Sequence, residues 1–192
     1  MKIKIIVNLL KSLLLTLKNI SNSNHSRPIY YRISSIDFDT QTAILHVIHK
    51  NIFIKQTFSQ LISNTEIIEG LSCQQACWIG VYYGKALRAA LNGKNNLRDI
   101  KKPTYLLKHK YGRYKIISEY RDGTIGCIHV KTRKELNVNP LAIAEDDIFI
   151  KHFDANQACY IGILAGIEME KKQHATLAET DQRTIPYLRL VK

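Results

Sequence analysis

Two histidines occupy corresponding places in two similar stretches of this chain, and histidine is well suited to acid–base chemistry near neutral pH. His46 and His129 each lie in a segment with strand character that also contains a tyrosine, Tyr31 or Tyr114. Two imidazoles brought together can bind a metal ion or act as acid and base. A half-exposed strand position is the favoured explanation, because no carboxylate recurs with them outside the turns. An enzyme that uses His46 and His129 is therefore the less favoured hypothesis.

The four cysteines do not have the spacing of a zinc site or a disulfide framework. Cys73 and Cys77 are four residues apart, Cys127 lies in a strand segment and Cys159 lies in an apolar stretch. The sequence contains no C-x-x-C pair, phosphate-binding glycine loop, nucleophile elbow or His-Glu-x-x-His motif. Scattered cysteines of this kind are typical of reduced thiols in a cytoplasmic protein. The sequence predicts neither a cofactor nor a metal.

A basic segment gives the clearest chemical indication. The formal net charge is +12, and the stretch 85–115 contributes nine of those charges, ten basic residues minus one aspartate. Cations neutralise phosphates and release counterions, and aromatic rings such as that of Tyr111 stack on bases. The alternative is a solvated connector, or one that meets an acidic protein surface. The candidate nucleic-acid-binding residues are Lys85, Arg88, Lys94, Arg98, Lys101, Lys102, Lys108, Lys110, Tyr111, Arg113 and Lys115.

The elements that position these residues occur twice in the chain. Residues 75–84 (QACWIGVYYG) recur 82 residues later as residues 157–166 (QACYIGILAG), with six of ten positions identical. Upstream, Tyr31-Arg32-Ile33 corresponds to Tyr114-Lys115-Ile116 at a spacing of 83, which indicates that one residue was gained or lost between hairpin and helix. The chain is therefore predicted to be a tandem duplication.

Each copy has the pattern of a strand pair followed by a helix. Asp122-Gly123, between runs of β-branched and aromatic residues, predicts a two-residue hairpin turn, and Asp39-Thr40 occupies the corresponding place. A third strand at 52–58 and at 135–140 is left open. The turns predict the cross-strand pairs Ile33 with His46 and Ile116 with His129.

The long helices have the same start and the same glycine spacing in both copies. Ser72-x-x-Gln75 and Asp154-x-x-Gln157 have the spacing of capping boxes, in which the two side chains satisfy each other's backbone N–H groups. Two glycines four residues apart on one helix face allow another backbone to approach closely. We predict that the two helices cross there, about a pseudo-twofold axis. The repeat-packing residues are Gly80, Gly84, Gly162 and Gly166.

The N-terminal segment, Met1–Ile20, is predicted to be an amphipathic helix with leucines and isoleucines on one face and lysines opposite. Asn8 and Lys11 interrupt the apolar core that a signal peptide needs, and the lysines argue against a spanning helix. Docking on a protein partner is favoured over lying on a membrane surface. The C-terminal segment 184–191 has the character of an edge strand or an interaction tail.

Together these features predict an α+β protein: a tandem duplication of a β-hairpin plus helix unit (ββα or βββα) with pseudo-twofold symmetry, preceded by the N-terminal amphipathic helix. Residues 1–27 comprise that helix and a flexible linker. Residues 28–192 form one domain, made of repeat 1 (28–92), a basic connector (93–112) and repeat 2 (113–192). The favoured function is a non-enzymatic regulatory or adaptor protein of bacterial type that binds nucleic acid. The alternative is a component of a multiprotein bacterial assembly that docks through its two terminal segments.

Overall fold

The computed structural model describes residues 30–91 and 101–183, which form an α+β protein with two three-stranded antiparallel sheets. In chain order each sheet is followed by short helices and then by one long helix. The predicted N-terminal helix and linker (1–27), the connector residues Lys94 and Arg98, and the tail at 184–191 lie outside the described residues. The α+β class predicted from the sequence is confirmed.

The first sheet has its strands in chain order and buries one face. Ala43, Leu45 and Val47 alternate along the central strand and are buried, because alternate side chains of a strand point to the same face. The strands are β1 (Tyr31–Asp37), β2 (Thr42–Val47) and β3 (Ile52–Thr57). The helices that follow are α1 (Phe58–Ser63), α2 (Thr65–Glu69) and α3 (Cys73–Ala89).

The second sheet has the same strand order and also buries one face, through Ile116, Ile125 and Cys127. A third strand, whose presence could not be decided from the sequence, is present in both sheets. The strands are β4 (Tyr114–Glu119), β5 (Ile125–His129) and β6 (Glu135–Val138). They are followed by α4 (Pro140–Glu145), a short 3-10 helix (Ile150–His152) and α5 (Ala155–Arg183).

The predicted strand register is wrong in both hairpins. Ile33 lies opposite Leu45 instead of His46, and Ile116 lies opposite Cys127 instead of His129. A register shift of one residue moves a side chain to the other face of its sheet, whereas a shift of two residues does not. The pairing of His46 is off by one residue, so His46 lies on the other face of its sheet from the one predicted. The pairing of His129 is off by two residues, so His129 stays on the predicted face.

Two local features cause this error. A β-bulge follows Ile33 in β1 and Ile116 in β4, and each bulge shifts the pairing by one residue. In the second hairpin the turn is also one residue longer than predicted, since Tyr120 N donates to Thr124 O at 2.9 Å around a three-residue loop. Gly123 ends that loop with φ +87, a conformation that glycine adopts without strain.

The change of spacing from 83 to 82 residues falls at the first turn of each sheet. Ile33 and Ile116 are 83 residues apart, but their partners Leu45 and Cys127 are 82 apart, which is also the spacing of the long helices. The turn between β1 and β2 has four residues and the corresponding turn has three. The one-residue difference therefore lies within the hairpin, whereas the sequence indicated a position between hairpin and helix.

Helices α3 and α5 cross with their backbones in close contact. At each of four glycines an added Cβ atom would collide with a carbonyl oxygen of the opposite helix. The contacts are reciprocal, because each helix supplies both glycines and carbonyls. The pairs are Gly80 with Cys159, Gly162 with Cys77, Gly84 with Ile163 and Gly166 with Val81.

Both long helices begin at the predicted capping residues, and at each the cap side chain accepts from the glutamine amide without the reciprocal bond of a capping box. Ser72 Oγ accepts from Gln75 N at 3.2 Å, and Asp154 Oδ1 accepts from Gln157 N at 2.8 Å. The Gln157 side chain does not complete a capping box, since its Nε2 donates to the Leu107 carbonyl at 3.1 Å. The Gln157 side chain therefore binds the connector instead of its own cap residue.

Candidate nucleic-acid interface

The described part of the basic connector, residues 101–112, is packed on the fold. Leu106 is fully buried, and three hydrogen bonds join the segment to α1 and to the start of α5. A segment fixed in this way holds its side chains at defined positions, unlike a flexible tether. The bonds are Tyr105 Oη to Ile62 O at 2.8 Å, Gln157 Nε2 to Leu107 O at 3.1 Å and Lys110 N to Asp154 Oδ2 at 3.0 Å.

Lys110 pairs with a buried carboxylate. Glu69, the last residue of α2, is only 4% exposed, and its Oε1 accepts from the Lys110 ammonium group. Asn156 Nδ2 donates to the same oxygen at 2.9 Å. A buried carboxylate that loses its cation is strongly destabilising. Lys110 therefore has a structural role although its side chain is partly exposed to solvent.

Lys102 is also engaged within the protein. Its ammonium group pairs with Glu119 Oε1 on β4, and the second oxygen of that carboxylate accepts from Tyr160 Oη at 3.0 Å. Burial, with the Glu119 carboxylate nearby, raises the pKa of the Tyr160 hydroxyl. Tyr160 therefore remains a neutral donor, and the pair fastens the connector to the second sheet.

Asp154 joins the connector to the start of α5. Its carboxylate is buried and accepts backbone hydrogen bonds from Gln157, Lys110 and Tyr111. Burial raises the pKa of Asp154, and these backbone donors oppose that rise by stabilising the charged form. Because Tyr111 is half-buried beside this carboxylate, it is a poorer candidate for base stacking than the sequence suggested.

The ten predicted basic residues therefore separate into four groups. On α3, Arg88 is buried and Lys85 is half-buried. Lys102 and Lys110 form ion pairs with glutamates. Lys94 and Arg98 lie outside the described residues. The remaining four, Lys101, Lys108, Arg113 and Lys115, are exposed.

His46 and His129 lie on different sheets and on opposite faces of those sheets. His46 stands opposite Arg32 on the solvent face, and its Nε2 bonds to Asn51 Oδ1 at 2.9 Å. His129 stands opposite Tyr114 on the face that packs on the helices, and its Nδ1 accepts from the Thr132 amide at 3.1 Å. In the observed register the residue equivalent to His46 is Ile128. The two histidines are not equivalent, which removes the basis for pairing them by symmetry.

The cysteines have the properties of core residues. All four are free thiols, and burial raises the pKa of Cys73 to about 11 and that of Cys77 and Cys127 to about 12. Cys159 is fully buried, and burial raises its pKa as well. Thiols of this kind are poor nucleophiles at neutral pH. Across 30–91 and 101–183, no group of three or more His, Cys, Asp or Glu side chains is arranged to hold a metal ion.

Three further residues, which the sequence analysis did not single out, lie with His46 on the solvent face of the first sheet. Arg32, His46 and Phe53 form one cross-strand row, and Lys55 lies in the next row. The Phe53 ring is 63% exposed. The run Ile52-Phe53-Ile54 could have indicated an apolar side chain on the solvent face, because three consecutive apolar residues in a strand place at least one of them on each face.

Within the described ranges, no helix is both long enough and apolar enough to cross a bilayer. No protein-family model, curated protein or solved structure matches the chain. Its function has to be inferred from the geometry described above.

Proposed function

We propose that the chain is a tandem duplication with pseudo-twofold symmetry. Supporting details recur at the 82-residue spacing of the long helices. Asn64 Oδ1 accepts from the amides of Glu66 and Ile67, and Asp146 Oδ1 accepts from those of Ile148 and Phe149. Asn51 and Arg133, also 82 apart, both have positive φ in the second turn of their sheet. The reciprocal glycine contacts between α3 and α5 support the same proposal.

We further propose that the protein is a cytoplasmic, non-enzymatic nucleic-acid-binding protein. The observation that carries this proposal is that Lys101, Lys108, Arg113 and Lys115 are exposed along a segment whose backbone is fixed to the fold. Cations held at fixed positions lose less conformational entropy when they meet phosphates than cations on a flexible chain do. The four free, buried thiols suit a reducing compartment.

The salt dependence of binding tests this proposal. We expect the affinity for duplex DNA to fall steeply with salt, and changing all four exposed cations to Gln to flatten the slope of log K against log salt by up to about 3.6, about 0.9 per phosphate. The fold should be unchanged, because the variant leaves Lys102 and Lys110 in place. Fluorescence anisotropy over a salt series measures both quantities.

A matched control removes four exposed cations of the second repeat outside this segment: Lys131, Arg133, Lys134 and Lys151, each changed to Gln. The net charge changes by the same amount, so a general charge effect would weaken both variants equally. An interface at the connector predicts the larger loss for the connector variant. A folded wild-type protein that binds neither DNA nor RNA at low salt would contradict the proposal and leave the assembly-adaptor hypothesis.

A further inference from the structure

The solvent face of the first sheet presents an aromatic pair next to cations. The His46 and Phe53 rings stack with centroids 4.8 Å apart and planes inclined by 18°. Arg32 lies directly opposite His46 on the neighbouring strand, so the row across the sheet consists of a guanidinium, an imidazole and a phenyl ring. We call these three residues, together with Lys55, the aromatic row.

The imidazole of His46 is held in place by a hydrogen bond. Its Nε2 lies 2.9 Å from Asn51 Oδ1 in the turn between β2 and β3. Asn51 has φ 51, so the turn itself is in a defined conformation. A ring that is already oriented keeps its stacking geometry without further loss of entropy when a planar ligand binds.

The charge of this face favours an anionic ligand. Arg32 and Lys55 are both exposed. The one carboxylate at the far end, Asp37, accepts from the amides of Asp39 and Thr40 at 3.0 and 3.2 Å. Those bonds lie within its own turn, and Asp37 is two cross-strand rows away from the rings. Hydrogen bonds from Thr40 are the main cause of the lowered pKa of Asp37, although Lys55 is near enough to contribute to it. Two further exposed apolar residues, Tyr30 and Ile48, lie at the end of the same hairpin, where Ile48 N donates to Tyr30 O at 3.0 Å.

The aromatic row is present in the first sheet alone. In the observed register Arg32, His46, Phe53 and Lys55 correspond to Lys115, Ile128, Glu135 and Asn137 in the second sheet. A feature that the shared fold required would recur in both sheets, and this one does not. The fold therefore does not explain the exposed rings.

We propose that the aromatic row binds single-stranded nucleic acid, with a base stacked on Phe53 and His46 and the adjoining phosphates on Arg32 and Lys55. This inference rests on the proposed nucleic-acid-binding function and names its substrate class. Bases in a duplex are already stacked on each other, so a flat, exposed ring pair selects strands whose bases are free. Recognition by stacking is tolerant of sequence, because every base has a π-face.

Substitution of Phe53 tests the inference, with an oligothymidylate of about 12 nucleotides as the probe, within the usual site sizes. Phe53→Ala is expected to weaken single-strand binding by about 5- to 150-fold, the loss of one stacked base. Affinity for a duplex of the same length should be unchanged. Phe53→Tyr should retain binding, whereas Phe53→Leu, which keeps the apolar volume without the π-face, should not.

The salt slope separates stacking from charge. Phe53→Ala should leave the slope of log K against log salt unchanged, whereas Arg32→Gln and Lys55→Gln should each flatten it by about 0.7 on a single strand. Ile148→Ala, which removes another exposed apolar side chain, is the matched control and should have no effect. Circular dichroism melts check that each variant is folded.

The outcomes distinguish the two proposals. If the wild-type protein binds and Phe53→Ala binds the oligonucleotide equally well, the aromatic row is not the site and this inference is overturned, while the proposed function stands. If Phe53→Ala instead changes the molar mass in light scattering with no change in affinity, the face is an interface between copies, and the inference is again overturned. If the wild-type protein binds no nucleic acid, both proposals fall.

Discussion

The two sheets share their strand order and the positions of their bulges, yet their solvent faces differ in chemistry. In the first sheet the outer row is Arg32, His46 and Phe53, and in the second sheet the corresponding residues are Lys115, Ile128 and Glu135. Their inner faces are apolar in both cases. The two sheets are therefore alike on the faces that pack into the core and differ on the faces that meet solvent.

Substitutions at the helix crossing are expected to have similar effects on stability in the two halves. Gly80→Leu and Gly162→Leu are each expected to lower the free energy of unfolding by about 3 kcal/mol or more, because the new side chain meets a carbonyl of the opposite helix rather than a movable side-chain end. Urea denaturation measures both values. A large loss of stability for one variant and none for the other would show that the two halves do not contribute equally to the helix crossing.

Gly123→Asn is the control for this pair. No atom lies within 4 Å of the position a Cβ would take at Gly123, and asparagine tolerates its positive φ. We expect a change within about 0.5 kcal/mol. A large loss at this exposed turn would mean that glycine substitutions report on backbone freedom in this protein and not on close packing.

The caps of the two long helices should respond differently. Ser72→Ala is expected to cost about 1 kcal/mol, the usual value for a lost N-cap. Asp154→Ala should cost about 2 to 3 kcal/mol, because it also leaves the connector amides without their acceptor. Equal costs, measured by thermal and urea unfolding, would show that Asp154 does no more than Ser72 and that the connector is held by other contacts.

The pH dependence of stability sharpens this contrast. Since burial raises the pKa of Asp154, the folded state holds the proton to higher pH than the unfolded chain does. The resulting stabilisation is complete below the unfolded pKa and is lost as the pH rises through the folded value. We expect the wild type to lose stability relative to Asp154→Asn as the pH rises from about 4, where an unfolded aspartate titrates. A constant difference would contradict the raised pKa.

The buried glutamate has no counterpart in the second half, so its ion pair gives a further contrast between the two halves. The residue 82 positions after Glu69 is the exposed Lys151. Lys110→Ala should cost about 1 to 2 kcal/mol, less than a fully buried pair, because the Lys110 side chain is 38% exposed and partly screened by water. Lys108→Ala and Lys151→Ala are the controls, each expected to change stability by less than about 0.5 kcal/mol. Equal losses of stability for Lys108→Ala and Lys110→Ala would show that Lys110 has no structural role.

Local signals in the sequence predicted the parts of the fold that depend on few residues. The caps at Ser72 and Asp154 and the hairpin positions are examples, since a cap is a bond between residues three apart. The register could not be predicted, because a β-bulge has no strong side-chain signature. The bulge after Ile33 is therefore what moved His46 to the solvent face and created the aromatic row.

The candidate interface was less predictable than the fold because charge in a sequence does not reveal its partners. Lys110 and Glu69 are 41 residues apart in the chain, and their ion pair exists only after α2, α5 and the connector have packed. Lys101 and Lys108 have no such long-range constraint and lie on the surface, as a run of charges usually does.

The reciprocal contact between α3 and α5 has a consequence for the origin of the chain. On the proposed duplication, each glycine of one helix faces a carbonyl of the other in the pattern of an isologous interface, which two identical subunits form about a twofold axis. A single-copy ancestor would have made this contact between two chains, at a strength that depended on concentration. On the same proposal, fusion would have made the contact intramolecular and would have allowed the two halves to diverge. One sheet could then have changed its solvent face independently of the other.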